Sequence, residues 1–199
     1  MEFTPNGKEI LIGDSSGVVH FWNLETWEKI REFKANTNQI TKIAVSPDGK
    51  QILTLGVDIN SDKTPGLAAK LWDLSGKPIA DIDFFQNTIG FLGDVSFSPN
   101  GKEIAIVITK NQGTFKFYDS SSGKLIPRST TNSLSGFNFS YSPDSKTIAF
   151  NGLSGIKLLN YKAKSDFIEL PADYEKEINQ MKQKGFIDLQ YSADGKKLL

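Results

Sequence analysis

The stretch IAVSPDGKQILTLG at residues 43–56 decides the fold, because its central turn recurs along the chain. Pro fits the second position of a type I turn, Asp or Asn suits the third, and Gly takes the fourth. Apolar residues spaced by two before the turn are typical of a strand with one buried face. The five copies of the turn are TPNGK at 4–8, SPDGK at 46–50, SPNGK at 98–102, SPDSK at 142–146 and SADGK at 192–196.

The copies keep one register on both sides of the turn. The second residue of the turn recurs at steps of 42, 52, 44 and 50 residues, at Pro5, Pro47, Pro99, Pro143 and Ala193. Two residues earlier stand the apolar residues Phe3, Val45, Phe97, Tyr141 and Tyr191, and five residues later stand Ile10, Ile52, Ile104, Ile148 and Leu198. Self-similarity at this period indicates a repeat architecture.

Each period predicts four antiparallel strands. A strand leads into the turn, a second runs back, a third ends in Asp or Asn, and a weaker fourth follows. The third strands end in FWN at 21–23, LWD at 71–73, FYD at 117–119 and LLN at 158–160. This pattern predicts an all-β fold, a β-propeller built of four-stranded antiparallel blades, with about four blades present.

The repeat also divides the chain. We expect one propeller domain over 1–199, with units at approximately 1–34, 35–84, 85–130, 131–170 and a partial one at 185–199, and a helical insertion at 171–184. Both termini cut through strand motifs, so we expect a fragment of a larger propeller. Two alternatives stay open: a closed four-bladed ring completed by residues 186–192, and half rings that self-associate through open blade edges.

The segment SPDGK followed by AKLWDLSGKPI at 69–79 resembles the WD-repeat proteins, and the resemblance covers essentially the whole chain. It implies that the strand before the turn is innermost, beside the channel, and that the fourth strand is outermost. The family's Gly-His would fall near Ala35-Asn36 and is missing, and the acidic residue expected six before the Trp falls on Ser16 and Gly66. We therefore expect divergent repeats that lack the family's buried His–Ser/Thr–Trp–Asp hydrogen-bond network.

Two insertions lengthen the repeat. The loop VDINSDKTPGLA at 57–68 joins a second strand to a third, and PADYEKEINQMKQKG at 171–185 joins an outer strand to the next inner one. Both connections emerge on the same face of a propeller, and loops on one rigid face commonly carry binding specificity. The candidate partner-binding residues are Asn60, Asp62 and Lys63 in the first insertion and Tyr174, Ile178 and Met181 in the second.

The second insertion predicts a short helix over 173–183. Asp173 can cap its start and Gly185 can end it. Tyr174, Ile178 and Met181 fall at i, i+4 and i+7 and form one apolar stripe. The stripe either packs onto the blades or forms a ridge that binds a partner.

The sequence offers no catalytic, cofactor or metal site that we can nominate. Cysteine is absent, which excludes disulfides and thiolate chemistry. The only histidine, His20, falls in a third strand and is interpreted as a strand-surface residue. Residues 58–62 resemble the opening of an EF-hand loop, but Lys63 stands where Gly is needed and Ala69 where Glu is needed.

The charge balance and the hydropathy of the sequence reduce the number of function classes that we expect. Lys plus Arg number 23 and Asp plus Glu number 23, so the chain lacks the basic surplus typical of nucleic-acid binding. The first ten residues, MEFTPNGKEI, contain no apolar signal core, and the printed sequence contains no apolar run of 18 residues. We expect a cytoplasmic protein-protein interaction scaffold that binds other proteins, not nucleic acid or membrane, and has no catalytic activity of its own.

Two other functions stay open. One is a ligand-binding or enzymatic propeller that uses the channel mouth, which the apolar inner strands argue against. The other is a regulatory module attached to a catalytic domain outside this chain. Fold analogy supports interaction generically and nothing narrower.

Overall fold

The structure is a computed structural model that describes residues 1–59, 63–82, 91–109, 114–127, 138–152, 155–160, 167–168 and 189–198. The described residues form sixteen strands and no helix. The strands make four antiparallel sheets of four strands each, and neighbours in a sheet are neighbours in the chain. The prediction of an all-β fold with four-stranded propeller blades is confirmed.

The four sheets are called blades 1 to 4 in chain order. Blade 1 contains β1 (Glu2–Phe3), β2 (Glu9–Gly13), β3 (Val18–Asn23) and β4 (Lys29–Lys34). Blade 2 contains β5 (Ile40–Val45), β6 (Gln51–Ile59), β7 (Pro65–Asp73) and β8 (Pro78–Ile82). Blade 3 contains β9 (Phe91–Phe97), β10 (Glu103–Thr109), β11 (Thr114–Asp119) and β12 (Leu125–Ile126). Blade 4 contains β13 (Phe139–Tyr141), β14 (Ile148–Gly152), β15 (Gly155–Leu159) and β16 (Phe167–Ile168).

The repeated turn closes the first hairpin of each blade through its own side chains. In blade 2 the Ser46 hydroxyl donates to Oδ1 of Asp48 at 2.6 Å and accepts from the Gln51 amide at 2.9 Å. The Gly49 amide donates to the Ser46 carbonyl at 2.8 Å, and Gly49 has a φ of 70°. Glycine adopts this left-handed conformation without a steric penalty, which explains its place in the motif.

The recurring apolar residues form the core between blades. Each blade carries a row of three residues that are paired across its first three strands and lie on one face. In blades 2 to 4 these rows are packed into the interface with the preceding blade: Val45, Ile52 and Trp72; Phe97, Ile104 and Tyr118; Tyr141, Ile148 and Leu159. The corresponding row of blade 1 is Phe3, Ile10 and Trp22.

Residues 189–198 pack against blade 4. Leu189 is buried, and Tyr191 pairs with Leu198 in a copy of the repeated turn. The Tyr191 amide donates to Oγ of Ser140 at 3.0 Å, and its hydroxyl lies 3.2 Å from Oγ1 of Thr147. The unit bounds, the blade number of the full-length protein and ring closure stay predictions.

Candidate functional site

The first insertion is mostly an extended hairpin. In blade 2, β6 and β7 have nine residues each, whereas the corresponding strands of the other blades have five to seven. Val57 pairs with Leu67, Asp58 with Gly66 and Ile59 with Pro65. The prediction of a loop over 57–68 is therefore wrong for these residues, because cross-strand pairing continues through a stretch whose polar composition suggested a loop.

Asp58 fixes this hairpin to the connection that enters blade 2. Its Oδ2 lies 2.6 Å from Nζ of Lys70, and its Oδ1 accepts from the Thr37 amide at 2.7 Å. Burial works to raise the pKa of Asp58, but the hydrogen bonds from Lys70 and Thr37 outweigh it and hold the pKa below its usual value. The Ile59 amide donates to Oγ1 of Thr37 at 2.7 Å, so both sides of the contact are hydrogen-bonded. The base of the hairpin is thus held in place by one ion pair and two hydrogen bonds.

The structure places one of the six candidate partner-binding residues. Lys63 is exposed near the tip of the hairpin and has a φ of 64°. Asn60 and Asp62 lie outside the described residues. The predicted helix with Tyr174, Ile178 and Met181 also lies outside them, and these assignments stay predictions.

A buried hydrogen bond joins the second and third strands of blade 2. Nε1 of Trp72 donates to Oγ1 of Thr54 at 3.1 Å, and Thr54 is completely buried. Asn36, at the position where the family has histidine, is also buried and donates from Nδ2 to Oδ1 of Asp58 at 3.3 Å. The expectation that the family's network is absent is therefore wrong in part, since blade 2 keeps the Thr–Trp bond and Asn36 occupies the position of the histidine.

His20 lies between two carboxylates on blade 1. Its Nε2 is 3.0 Å from Oδ2 of Asp14, and its Nδ1 is 3.0 Å from Oε2 of Glu32. The hydrogen bond with His20 is the main reason that the pKa of Asp14 is lowered. In blade 2 the pair Lys70–Asp58 occupies the corresponding place, so both blades pair a basic residue of the third strand with an aspartate from the end of the second strand or the turn after it.

Charged side chains line a cavity between the inner strands. Glu2 of β1, Lys42 of β5 and Asp94 of β9 border a cavity of about 200 Å³. Nζ of Lys42 lies 3.2 Å from Oδ1 of Asp94. Burial raises the pKa of Asp94, although Lys42 beside it opposes the change.

This cluster was not predicted from the sequence, because only the apolar positions of the inner strands stand out in the repeat. Lys42 and Asp94 each stand five residues before the proline of the repeated turn, and Glu2 stands three before it. Aligning the polar positions of the repeat would have found Lys42 and Asp94, which share one position, but not Glu2. The interpretation of the inner strands as apolar is therefore wrong at these residues.

The side chains and helices of the residues that the structure describes offer neither a metal site nor a membrane-spanning helix. Within them, no three His, Asp or Glu side chains are grouped so that they could hold a metal ion. No helix in that part of the chain is long and apolar enough to cross a membrane.

A segment of this chain matches a family model, and about half of the chain is similar to known proteins. The family model described as "WD domain, G-beta repeat" matches residues 27–64, which run from the outer strand of blade 1 into the β6–β7 hairpin. The resemblance to the WD-repeat proteins that the sequence indicates is confirmed over this segment. The p21-activated protein kinase-interacting protein 1-like of Xenopus laevis is 31% identical over 108 residues, which make up 54% of this chain and 26% of that protein.

Two further similar proteins come from Saccharomyces cerevisiae and Rattus norvegicus. The COMPASS component SWD1 of Saccharomyces cerevisiae is 32% identical over 90 residues, or 42% of this chain and 19% of SWD1. The guanine nucleotide-exchange factor SEC12 of Rattus norvegicus is 29% identical over 108 residues, or 53% of this chain and 25% of SEC12. The chain spans about a quarter or less of the length of these relatives.

Proposed function

We propose that this chain is a protein-interaction scaffold without catalytic activity of its own, and that it binds its partner through the face that carries the two insertions. One observation carries the proposal: the β6–β7 hairpin extends beyond the corresponding hairpins of the other blades and ends in exposed residues. Ile59 is 44% exposed, and Lys63 is exposed in the same hairpin. An exposed aliphatic side chain and a cation in one hairpin suit a protein surface with both apolar and acidic groups.

The contacts at the base of the hairpin support its proposed role in binding a partner. Asp58, Lys70 and Thr37 hold it through contacts of 2.6 and 2.7 Å, so little conformational entropy is lost at the base when a partner binds. The printed names of the relatives agree with binding in general, since one interacts with a protein kinase and another is a component of an assembly.

Shortening the hairpin tests the proposal. Residues 59–65 are replaced by a two-residue Asn-Gly turn, which is suited to a β-hairpin. We expect the shortened variant to keep its thermal stability and to lose partner capture in a quantitative pull-down. Deleting 173–183 in a separate variant tests the second insertion. Undiminished capture by both variants would contradict the proposal.

The charged cavity favours a second candidate, a ligand-binding propeller. Lys42 and Asp94 present opposite charges at its wall, and such a pair suits a small ligand with both charges. Thermal-shift measurements with zwitterionic and singly charged small molecules test this, with Lys42→Ala as the comparison. Stabilisation of the wild type that disappears in Lys42→Ala would support this function over the first.

A cytoplasmic location and attachment to a catalytic domain stay proposals. Fluorescence microscopy of the tagged full-length protein tests the location, and the longer reading frame tests the attachment. We also propose that the chain binds other proteins and binds neither nucleic acid nor membrane.

A further inference from the structure

Trp27 is an exposed aromatic residue in a left-handed backbone conformation. It lies in the connection between β3 and β4, is 69% exposed and has a φ of 58°. Its amide donates to the Asn23 carbonyl at 2.9 Å, which closes the turn. Bulky residues rarely adopt positive φ, so this position is disfavoured for tryptophan both by backbone conformation and by exposure.

The same turn carries glycine in the next two blades. The Gly76 amide donates to the Asp73 carbonyl at 3.0 Å and the Gly123 amide to the Asp119 carbonyl at 2.8 Å, as Trp27 does to Asn23. Their φ values are 88° and 67°. The three residues therefore stand at equivalent places after the third strand, three residues after the acceptor for Gly76 and four for Trp27 and Gly123.

Packing between outer strands requires glycine at that position in blades 2 and 3. A Cβ added at Gly76 would lie 2.6 Å from Cγ of Phe33, which belongs to the outer strand of blade 1. A Cβ added at Gly123 would lie 2.6 Å from Cβ of Ala80, in the outer strand of blade 2. A side chain here is thus incompatible with a preceding outer strand placed as in these two interfaces. Tryptophan at position 27 is therefore incompatible with an outer strand packed against blade 1 in the same way.

Two acidic residues lie in the same connection between β3 and β4 as Trp27. Glu25 and Glu28 are exposed on either side of it, and within the described part of the chain their carboxylates make no ion pair. The nearest lysine in sequence, Lys29, is already engaged, since its Nζ lies 2.8 Å from Oε2 of Glu32. An exposed indole flanked by two free carboxylates is complementary to a positively charged side chain.

We propose that Trp27, Glu25 and Glu28 form a docking site for a lysine- or arginine-containing segment of a partner protein. The cation stacks on the indole face, where the ring quadrupole attracts it, and the carboxylates neutralise the remaining charge of the segment. The site lies at the end of the sheets opposite the β6–β7 hairpin, because β3–β4 and β6–β7 connections emerge at opposite ends of antiparallel blades. It rests on the proposed function, since it assigns a partner class to the scaffold.

A peptide titration tests the site. The probe is a fluorescein-labelled peptide of alternating arginine and glycine, and a peptide with glutamate in place of arginine is the charge control. We expect Trp27→Gly to weaken binding of the arginine peptide about threefold, the size of an exposed cation–π contact. Glycine is the residue of the equivalent turns, so this variant is expected to fold with undiminished thermal stability.

Charge variants and matched controls complete the test. Glu25→Gln with Glu28→Gln is expected to weaken binding and to reduce its dependence on salt. Asp81→Asn removes another exposed carboxylate without an ion pair in the described residues, and Leu125→Ser removes another exposed apolar side chain. Both are expected to bind as the wild type does.

Three results would overturn the proposal. These are unchanged binding by Trp27→Gly, equal binding of the glutamate peptide, and a dimer that sedimentation shows to depend on Trp27, which would make a second copy the occupant. Failure here is distinguishable from failure of the proposed function, because the hairpin-shortened variant keeps the Trp27 site and Trp27→Gly keeps the hairpin.

Discussion

The hydrogen bond between Trp72 and Thr54 leads to a prediction at the scale of single residues. Valine has nearly the shape of threonine but no hydroxyl, so Thr54→Val leaves the Trp72 Nε1 without its acceptor at 3.1 Å. We expect a loss of about 1–3 kcal/mol in the free energy of unfolding, measured by urea denaturation. Trp72→Phe removes the donor, so the double variant should lose less than the sum of the two single losses. Strict additivity would contradict a direct bond.

Asp58 gives a second prediction, on pH. Its pKa is lowered in the folded protein, so its stabilisation is complete above the unfolded pKa near 4 and is lost as the pH falls through the folded pKa. We expect Asp58→Asn to lose about 2 kcal/mol at neutral pH, where the wild type has the contact with Lys70. The difference between the two proteins should shrink below about pH 4. A difference that stays constant in urea denaturation down to about pH 3 would contradict this account.

At the scale of elements, the turn between β2 and β3 limits how closely blades 1 and 2 approach. Gly17 has a φ of 85°, and an added Cβ would lie 2.1 Å from the Asn36 carbonyl oxygen. Gly7 has a φ of 66° with nothing within 4 Å of such a Cβ, which makes it a matched control. Alanine at either position costs about 1 kcal/mol for the left-handed backbone. Gly17→Ala should cost a further 1–3 kcal/mol or so from overpacking, seen as a lower Tm. Equal melting of the two variants would show that this approach is not tight.

Some of the strands could be predicted from the sequence, and some contacts between them could not. Strands β2, β3, β10 and β11 lie where the motif predicts them, because period-two alternation and turn residues act locally. The extension of β6 and β7 could not be predicted, since it depends on ladder pairing and on Asp58 reaching Lys70 and Thr37. The Thr54–Trp72 bond and the Lys42–Asp94 pair likewise join residues that only the fold brings together.

At the scale of the whole molecule, the outward face of blade 1 bears on association. Phe3 is 57% exposed and Ile12 is 38% exposed, whereas Phe97 and Ile106 at the corresponding positions of blade 3 are buried. We expect the wild type to have an average mass above 22.0 kDa that rises with concentration in light scattering. Phe3→Ser with Ile12→Ser should return it to the monomer mass. A wild type that stays at the monomer mass at all concentrations would favour the closed four-bladed ring.

The central claim, that the extended hairpin contacts a protein partner, is tested most directly by photo-crosslinking. A photoreactive amino acid replaces Lys63 at the hairpin or, as a control, Lys146, whose side chain is 72% exposed in the repeated turn of blade 4. Both proteins are irradiated in cells, and the adducts are compared by mass. We predict one discrete protein adduct from position 63 and none of that mass from position 146. Adducts of the same partner from both positions, or from position 146 alone, would contradict the claim.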